Sequence, residues 1–247
     1  MKKVYLLRSL NCLSWSYAYL GLIYALYFIY FIVVPSYKND NRLSLPMYIV
    51  FNLSFLYFFS QGYFNLIRTT FTRVKLNSNK DKFCQICCKY LCERSYHCYV
   101  CQQCILQRDH HCFFVSTCIG KHNQKYFILM LGHLIISHLI GYAFVAEFLW
   151  QEVGGLRLIS IPKVLFFNIG YILGFVETKW QAWICLHHYL VYFDVAFISR
   201  LFYQIMRRSL NGQTQYEERK MIRKNKQNFK QIFGDNLWKL FIPFSRL

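Results

Sequence analysis

The sequence predicts an all-α integral membrane protein: four transmembrane helices, with a cysteine-rich domain on the cytosolic side between helices 2 and 3. Three observations predict it. Apolar residues make up 55% of the 247, and they gather in long blocks, the pattern of a chain whose solvent is partly lipid. Lys and Arg, 29 against 11 Asp and Glu, sit mostly in the gaps between blocks, as in cytosolic loops. Nine of the eleven cysteines, with His97, His110 and His111, crowd between Cys84 and Cys118. The net charge of +18 would also suit nucleic acid, but that reading leaves four apolar blocks unexplained. The expected partner is therefore a lipid bilayer and not nucleic acid.

Residues 1–68 form an N-terminal pair of spans. A short basic start (Lys2, Lys3, Arg8) leads into an uncharged run from Leu13 to Val34, closed by Pro35. At about 1.5 Å per residue this run crosses a hydrocarbon core of roughly 30 Å. No clear small-residue cleavage site follows it, so it reads as a retained anchor. After the loop 36–44, a second span runs from Leu45 to Ile67, with Pro46 in its first turn and Arg68 and Arg73 at its exit.

Residues 69–125 are polar and basic, without a long apolar run. They predict loops, turns and short hairpins held together by something other than a core. Residues 126–206 supply the second pair of spans, Tyr126 to Trp150 and Trp180 to Met206, on either side of a lumenal segment. Within that segment, Val164–Val176 is too short to span and predicts an interfacial or re-entrant piece. His133 and His138 in the third span are read equally as functional groups or as helix-to-helix hydrogen bonders. Asp194 in the fourth is expected to face the bundle interior. Residues 207–247 form a basic tail. Four spans place all three basic regions on the cytosolic side.

The cysteine cluster reads Cys84-x-x-Cys87, nine residues, His97-Cys98-x-x-Cys101-x-x-Cys104, four residues, Asp109-His110-His111-Cys112, five residues, Cys118. Two thiolates at C-x-x-C spacing converge on one tetrahedral ion, so the repeats predict zinc. A cytosolic location disfavours disulfides. Zinc would also supply folding energy that a segment without a core lacks. Six knuckle-type cysteines and two histidines fill two four-coordinate sites and leave Cys112 free beside His110 and Asp109. A thiol next to an imidazole, with a carboxylate to orient that imidazole, is the arrangement of an activated nucleophile. Spacing alone leaves open which histidine binds metal, and leaves Cys88 and Cys92 as substitute ligands.

The run from Cys84 through the tetrad Asp109-His110-His111-Cys112 to Cys118, Asn123 and Phe127 resembles the cysteine-rich domain of the DHHC protein S-acyltransferases. The resemblance implies one zinc on Cys84, Cys87, His97 and Cys104, and a second, interleaved, on Cys98, Cys101, His111 and Cys118. It implies Cys112 as the nucleophile that carries the acyl group as a thioester, His110 as its base, and Asp109 as the residue that orients His110. Palmitoyl-CoA or another fatty acyl-CoA would be the donor. Cysteine-containing, membrane-associated proteins would be the acceptors, and the endoplasmic reticulum or Golgi the location. Thr214-Gln215-Tyr216-Glu217 resembles the family's Thr-Thr-x-Glu motif with Gln215 at the second threonine, a position that packs near the active-site Asp in that fold. Asn228 and Phe233-Gly234 resemble its C-terminal docking segment. The alternative is a non-catalytic scaffold of the same fold, suggested by Gln215.

Overall fold

A computed structural model describes residues 2–35, 44–74, 82–152, 172, 178–222 and 233. Among these, four long helices dominate. They are α1 (Lys2–Phe28, continued by a π-helical turn, Ile29–Val33), α2 (Leu45–Phe71), α3 (Gln124–Glu152) and α4 (Lys179–Leu210). A short α5 (Gln215–Arg219) follows. Each long helix overruns its predicted span: the basic start is already helical, and the others extend by a few residues at one or both ends. The cause is simple, since a helix has no reason to end at the membrane boundary when backbone hydrogen bonds can continue.

The all-α expectation needs one amendment. The cysteine-rich segment forms six strands of three or four residues, β1 (Lys82–Cys84), β2 (Lys89–Leu91), β3 (Ser95–Cys98), β4 (Gln103–Leu106), β5 (His110–Cys112) and β6 (Thr117–Ile119). They pair as three antiparallel hairpins, β1 with β2, β3 with β4, and β5 with β6. The molecule is mostly helical, with a segment of hairpins. Isolated two-stranded hairpins are marginal in water, so something must bind them together.

Three of the helices are long and apolar enough to cross a membrane: Ser9–Val33, Gln124–Ala146 and Lys179–Leu210. α2 is also long, with 27 residues, and carries a polar stripe toward its C-terminal end. Gln61, Asn65 and Thr69, spaced four apart on one stripe, are all buried. Asn65 Nδ2 donates to the Gln61 carbonyl at 2.9 Å, and Thr69 Oγ1 to the Asn65 carbonyl at 2.7 Å. The Asn65 and Thr69 side chains thus donate to carbonyls one turn back in their own helix.

The described residues divide into two compact units. One draws on Met1–Leu22, Ser60–His133 and Leu201–Leu247, the other on Ile23–Phe59 and Leu134–Arg200. The second unit is apolar and aromatic, centred on Phe28, Val33, Val145, Phe148, Ile184 and Cys185. His187 lies there, stacked on Phe28 with ring centroids 4.7 Å apart and hydrogen-bonded to Tyr24. His138 donates from Nδ1 to the Leu134 carbonyl at 2.7 Å. Asp194, expected inside, is exposed, because its helix turns Ile184 and Cys185 inward instead. In the first unit His133 makes the matching bond to the Leu129 carbonyl at 2.7 Å.

The first unit holds the hairpins. Ile105, Val115 and Ile119 are fully buried there beside Cys98, Cys104 and Cys118. Asn123, also fully buried, ties hairpins to helices. Its Nδ2 donates to the carbonyls of Thr69 in α2 at 2.9 Å and Cys118 at 3.1 Å, and its Oδ1 accepts from the Gly120 amide at 3.0 Å. The expected loop 36–44, apart from Ser44, lies outside the described residues. So do most of 151–179, with its interfacial piece, and Asn228 and Gly234 of the tail. Phe233 is described and is buried.

Candidate functional site

Strand geometry sorts the tetrad. Side chains alternate across a strand, so on β5 His110 and Cys112 share one face and His111 takes the other. Register then brings the metal-type ligands together. His111 lies opposite Cys118 in the β5–β6 hairpin, and His97 opposite Cys104 in the β3–β4 hairpin. The turns supply the remaining thiols, Cys84 and Cys87 from the first hairpin, Cys98 and Cys101 from the second. The residues that follow Cys87 and Cys101, Cys88 at φ 51° and Gln102 at φ 54°, are left-handed. That conformation disfavours side chains and persists where neighbours over-determine it.

Two four-residue sets result. In Cys84, Cys87, His97 and Cys104, and in Cys98, Cys101, His111 and Cys118, all candidate ligand atoms lie within 4.8 Å of one another. Cys87 Sγ is 3.3 Å from His97 Nδ1 and 3.7 Å from Cys104 Sγ. In the other set, Cys101 Sγ is 3.2 Å from His111 Nδ1 and 3.6 Å from Cys118 Sγ. The edges of a zinc tetrahedron with sulfur and nitrogen ligands are about 3.5–3.8 Å, from its bond lengths. The residues fit zinc in number, chemistry and spacing. Charge agrees: hydrogen bonds from Cys101 and Cys118 draw the Cys98 thiol down, while bonding to Cys101 and Cys98, with burial, drives Cys118 up. Crowded thiols divide one negative charge between them, and a divalent cation would let all ionise. Cys88 and Cys92 stand outside both sets.

On the other face of β5 the tetrad forms a relay. Asp109 is buried, and its Oδ2 accepts from His110 Nδ1 at 2.7 Å and from Arg208 Nη2 at 3.2 Å. Its Oδ1 accepts from the backbone N–H of Gln215 at 2.6 Å. Burial alone would raise this carboxyl, but the His110 hydrogen bond and the charges of His110 and Arg208 hold it below the usual carboxylate value. Burial would likewise lower His110. Hydrogen bonds to Asp109 and Cys112, with their charges, override it and push His110 up to about 9. Cys112 is buried. This relay can accept, hold and return a proton beside a sulfur.

The Thr214–Glu217 stretch supports the relay by backbone geometry. Thr214 caps α5 in a capping box with Glu217, which sets the first helical amide, that of Gln215, toward Asp109. Glu217, fully buried, is gripped by Arg94, whose Nε and Nη2 donate to its two oxygens at 2.6 Å each. Arg208 and Arg94 were not foreseen as site residues. In the sequence Arg208 reads as the opening of a basic tail and Arg94 as one more loop charge. Nothing local distinguishes a buried, paired arginine from a solvated one.

A family model described as DHHC palmitoyltransferase matches residues 77–222 of the chain. No curated protein matches it.

Proposed function

The chain belongs to the DHHC palmitoyltransferase family, and from that premise we propose a two-step transfer of a long-chain fatty acyl group, palmitoyl or a near homologue. The donor is a fatty acyl-CoA, and the acceptors are cysteine thiols of membrane-associated proteins. Protein S-acyl transfer in general is the family's activity. The donor, the acyl-enzyme and the role of each residue are our reading. The observation that carries it is His110, raised to about 9, with its Nδ1 bound to a buried carboxylate and Cys112 on the same face of β5.

His110 takes the proton of Cys112 as general base, and Asp109 stabilises the imidazolium that forms. The Cys112 sulfur attacks the thioester carbonyl of acyl-CoA. The bond from carbonyl to CoA sulfur breaks, and the departing thiolate takes the proton from His110. In the second step a substrate cysteine gives its proton to His110 and attacks the acyl carbonyl, and Cys112 leaves as thiolate. Each step exchanges one thioester for another, so the demand on the enzyme is positioning and proton handling more than driving force. Two zinc ions, one per Cys3His set, would supply folding energy and rigidity.

The same reading takes α2 as a fourth span, with both termini and the hairpins on the cytosolic face, in the endoplasmic reticulum or Golgi. The Lys and Arg distribution supports that orientation. A non-catalytic scaffold finds less support: Asp109 is held by the backbone N–H of residue 215, which every residue but proline supplies.

The test is acyl loading. Purified protein in detergent, given a clickable fatty acyl-CoA, should take up label that hydroxylamine removes. Cys112→Ala should abolish that label while zinc stays at about two per chain. Equal labelling of the variant would overturn the assignment of Cys112, and an unlabelled wild type that holds both zinc ions would favour the scaffold.

A further inference from the structure

We infer that Asn11, near the start of α1, is a positioning residue for the second metal set and for the turn that follows Cys112. Both ends of its amide are used. His111 Nε2 donates to Asn11 Oδ1 at 3.1 Å, and Asn11 Nδ2 donates to Ser116 Oγ at 2.5 Å. The three residues lie in the same compact unit, although Asn11 and His111 are 100 apart in sequence.

The chemistry of the ring gives the first bond its meaning. His111 directs Nδ1 at the three sulfurs of its set. A neutral imidazole that offers Nδ1 as a lone pair must carry its proton on Nε2, and that proton needs an acceptor. Asn11 Oδ1 is that acceptor. Such a partner fixes the tautomer and the ring plane and makes the ligand more basic. The first set has no counterpart: among the described residues His97 Nε2 is buried without a hydrogen-bond partner. The two sets therefore differ: among the described residues, a side chain of a long helix meets the second set's imidazole and none meets His97 Nε2.

The second bond extends the effect to the nucleophile. His111 and Ser116 flank Cys112 in the chain. Ser116 stands at φ 54°, a left-handed conformation that disfavours a residue with a side chain. Its amide donates to the Phe113 carbonyl at 3.2 Å, which closes the turn after Cys112. Asn11 thus holds one residue on each side of Cys112, and α1 sets the register of the turn that follows it.

The inference rests on the zinc-bound acyltransferase reading above, so its test reads metal and not activity. Full-length protein in detergent is mixed with excess chromogenic chelator, and zinc release is followed in time. In Asn11→Ala, one of the two zinc equivalents should leave about tenfold to a hundredfold faster than in wild type, with the other unchanged. Asn11→Asp keeps an acceptor for the Nε2 proton and should restore the wild-type rate. Unchanged release in Asn11→Ala would overturn the inference. So would loss of both ions together in Asn11→Ala and Asn11→Asp alike, because that outcome assigns Asn11 to helix packing. A wild-type chain without zinc would overturn the ligand sets themselves, whereas two ions with unchanged release would overturn only the role of Asn11.

Discussion

At residue 215 the family-like motif departs from threonine, and the structure says what that departure touches. Asp109 Oδ1 is met by the backbone amide of Gln215 at 2.6 Å, not by its side chain. Gln215→Thr should therefore load acyl groups as wild type does. Gln215→Pro isolates the amide. Proline is favoured at the first helical position, and Thr214, at φ −99° and ψ 162°, already has the extended conformation that a following proline requires. The substitution should thus leave α5 intact and remove one hydrogen bond to a buried carboxylate. Such a bond is worth about 1.5–3 kcal/mol, so single-turnover loading should fall about tenfold or more. Loading by Gln215→Pro at the wild-type rate would show that the amide is dispensable.

At the scale of the hairpins, backbone proximity matters more than side-chain identity. Each strand is three or four residues long, and the buried cluster beneath the hairpins is as small as Cys98, Ile105 and Cys118 with Val74, Val100 and Cys101 around it. Gly120 sits where the chain leaves β6 and passes under β4. A Cβ there would stand 2.6 Å from Ile105 Cγ2 and 2.9 Å from the Leu106 carbonyl oxygen. Ile105 is fully buried and the carbonyl belongs to the backbone, so neither can yield cheaply. Gly120→Ala should destabilise the hairpins by about 1–3 kcal/mol. The check is a lower unfolding temperature together with faster amide exchange across residues 103–119. An unfolding temperature equal to that of wild type would mean that the backbone relaxes there freely.

At the scale of the whole molecule, two kinds of stabilisation stand side by side. The helices carry their own hydrogen bonds and bury aromatic and aliphatic side chains. With zinc in the two proposed sites the hairpin segment would depend on the interleaved sets, because Cys98 and Cys101 of the second hairpin lie with His111 and Cys118 of the third, while its His97 and Cys104 lie with Cys84 and Cys87 of the first. Removal of zinc should release all three hairpins at once. A strong chelator should leave most of the helical circular dichroism, erase exchange protection over residues 82–119 and stop acyl loading. Retained protection there with no bound metal would show that the hairpins have a sufficient core of their own.

Much of this was legible in the residues. Blocks of apolar sequence mark the long helices, since a helix that meets lipid needs length and little else. C-x-x-C spacing marks metal-type turns, since two thiolates separated by two residues can converge on one ion. Asp109, His110 and Cys112 stand within four residues of one another, so their proximity is a local property. Tertiary structure decided the rest. The exposure of Asp194 follows from how α4 is rotated, which no run of residues records. The pairing of Arg94 and of the buried Arg208 depends on which carboxylate the fold brings to each, Glu217 and Asp109. The bond from Asn11 to His111 joins positions 100 apart, and local periodicity and spacing hold no information about partners so distant. Sequence determines which residues can do chemistry; folding decides which distant groups hold them in place.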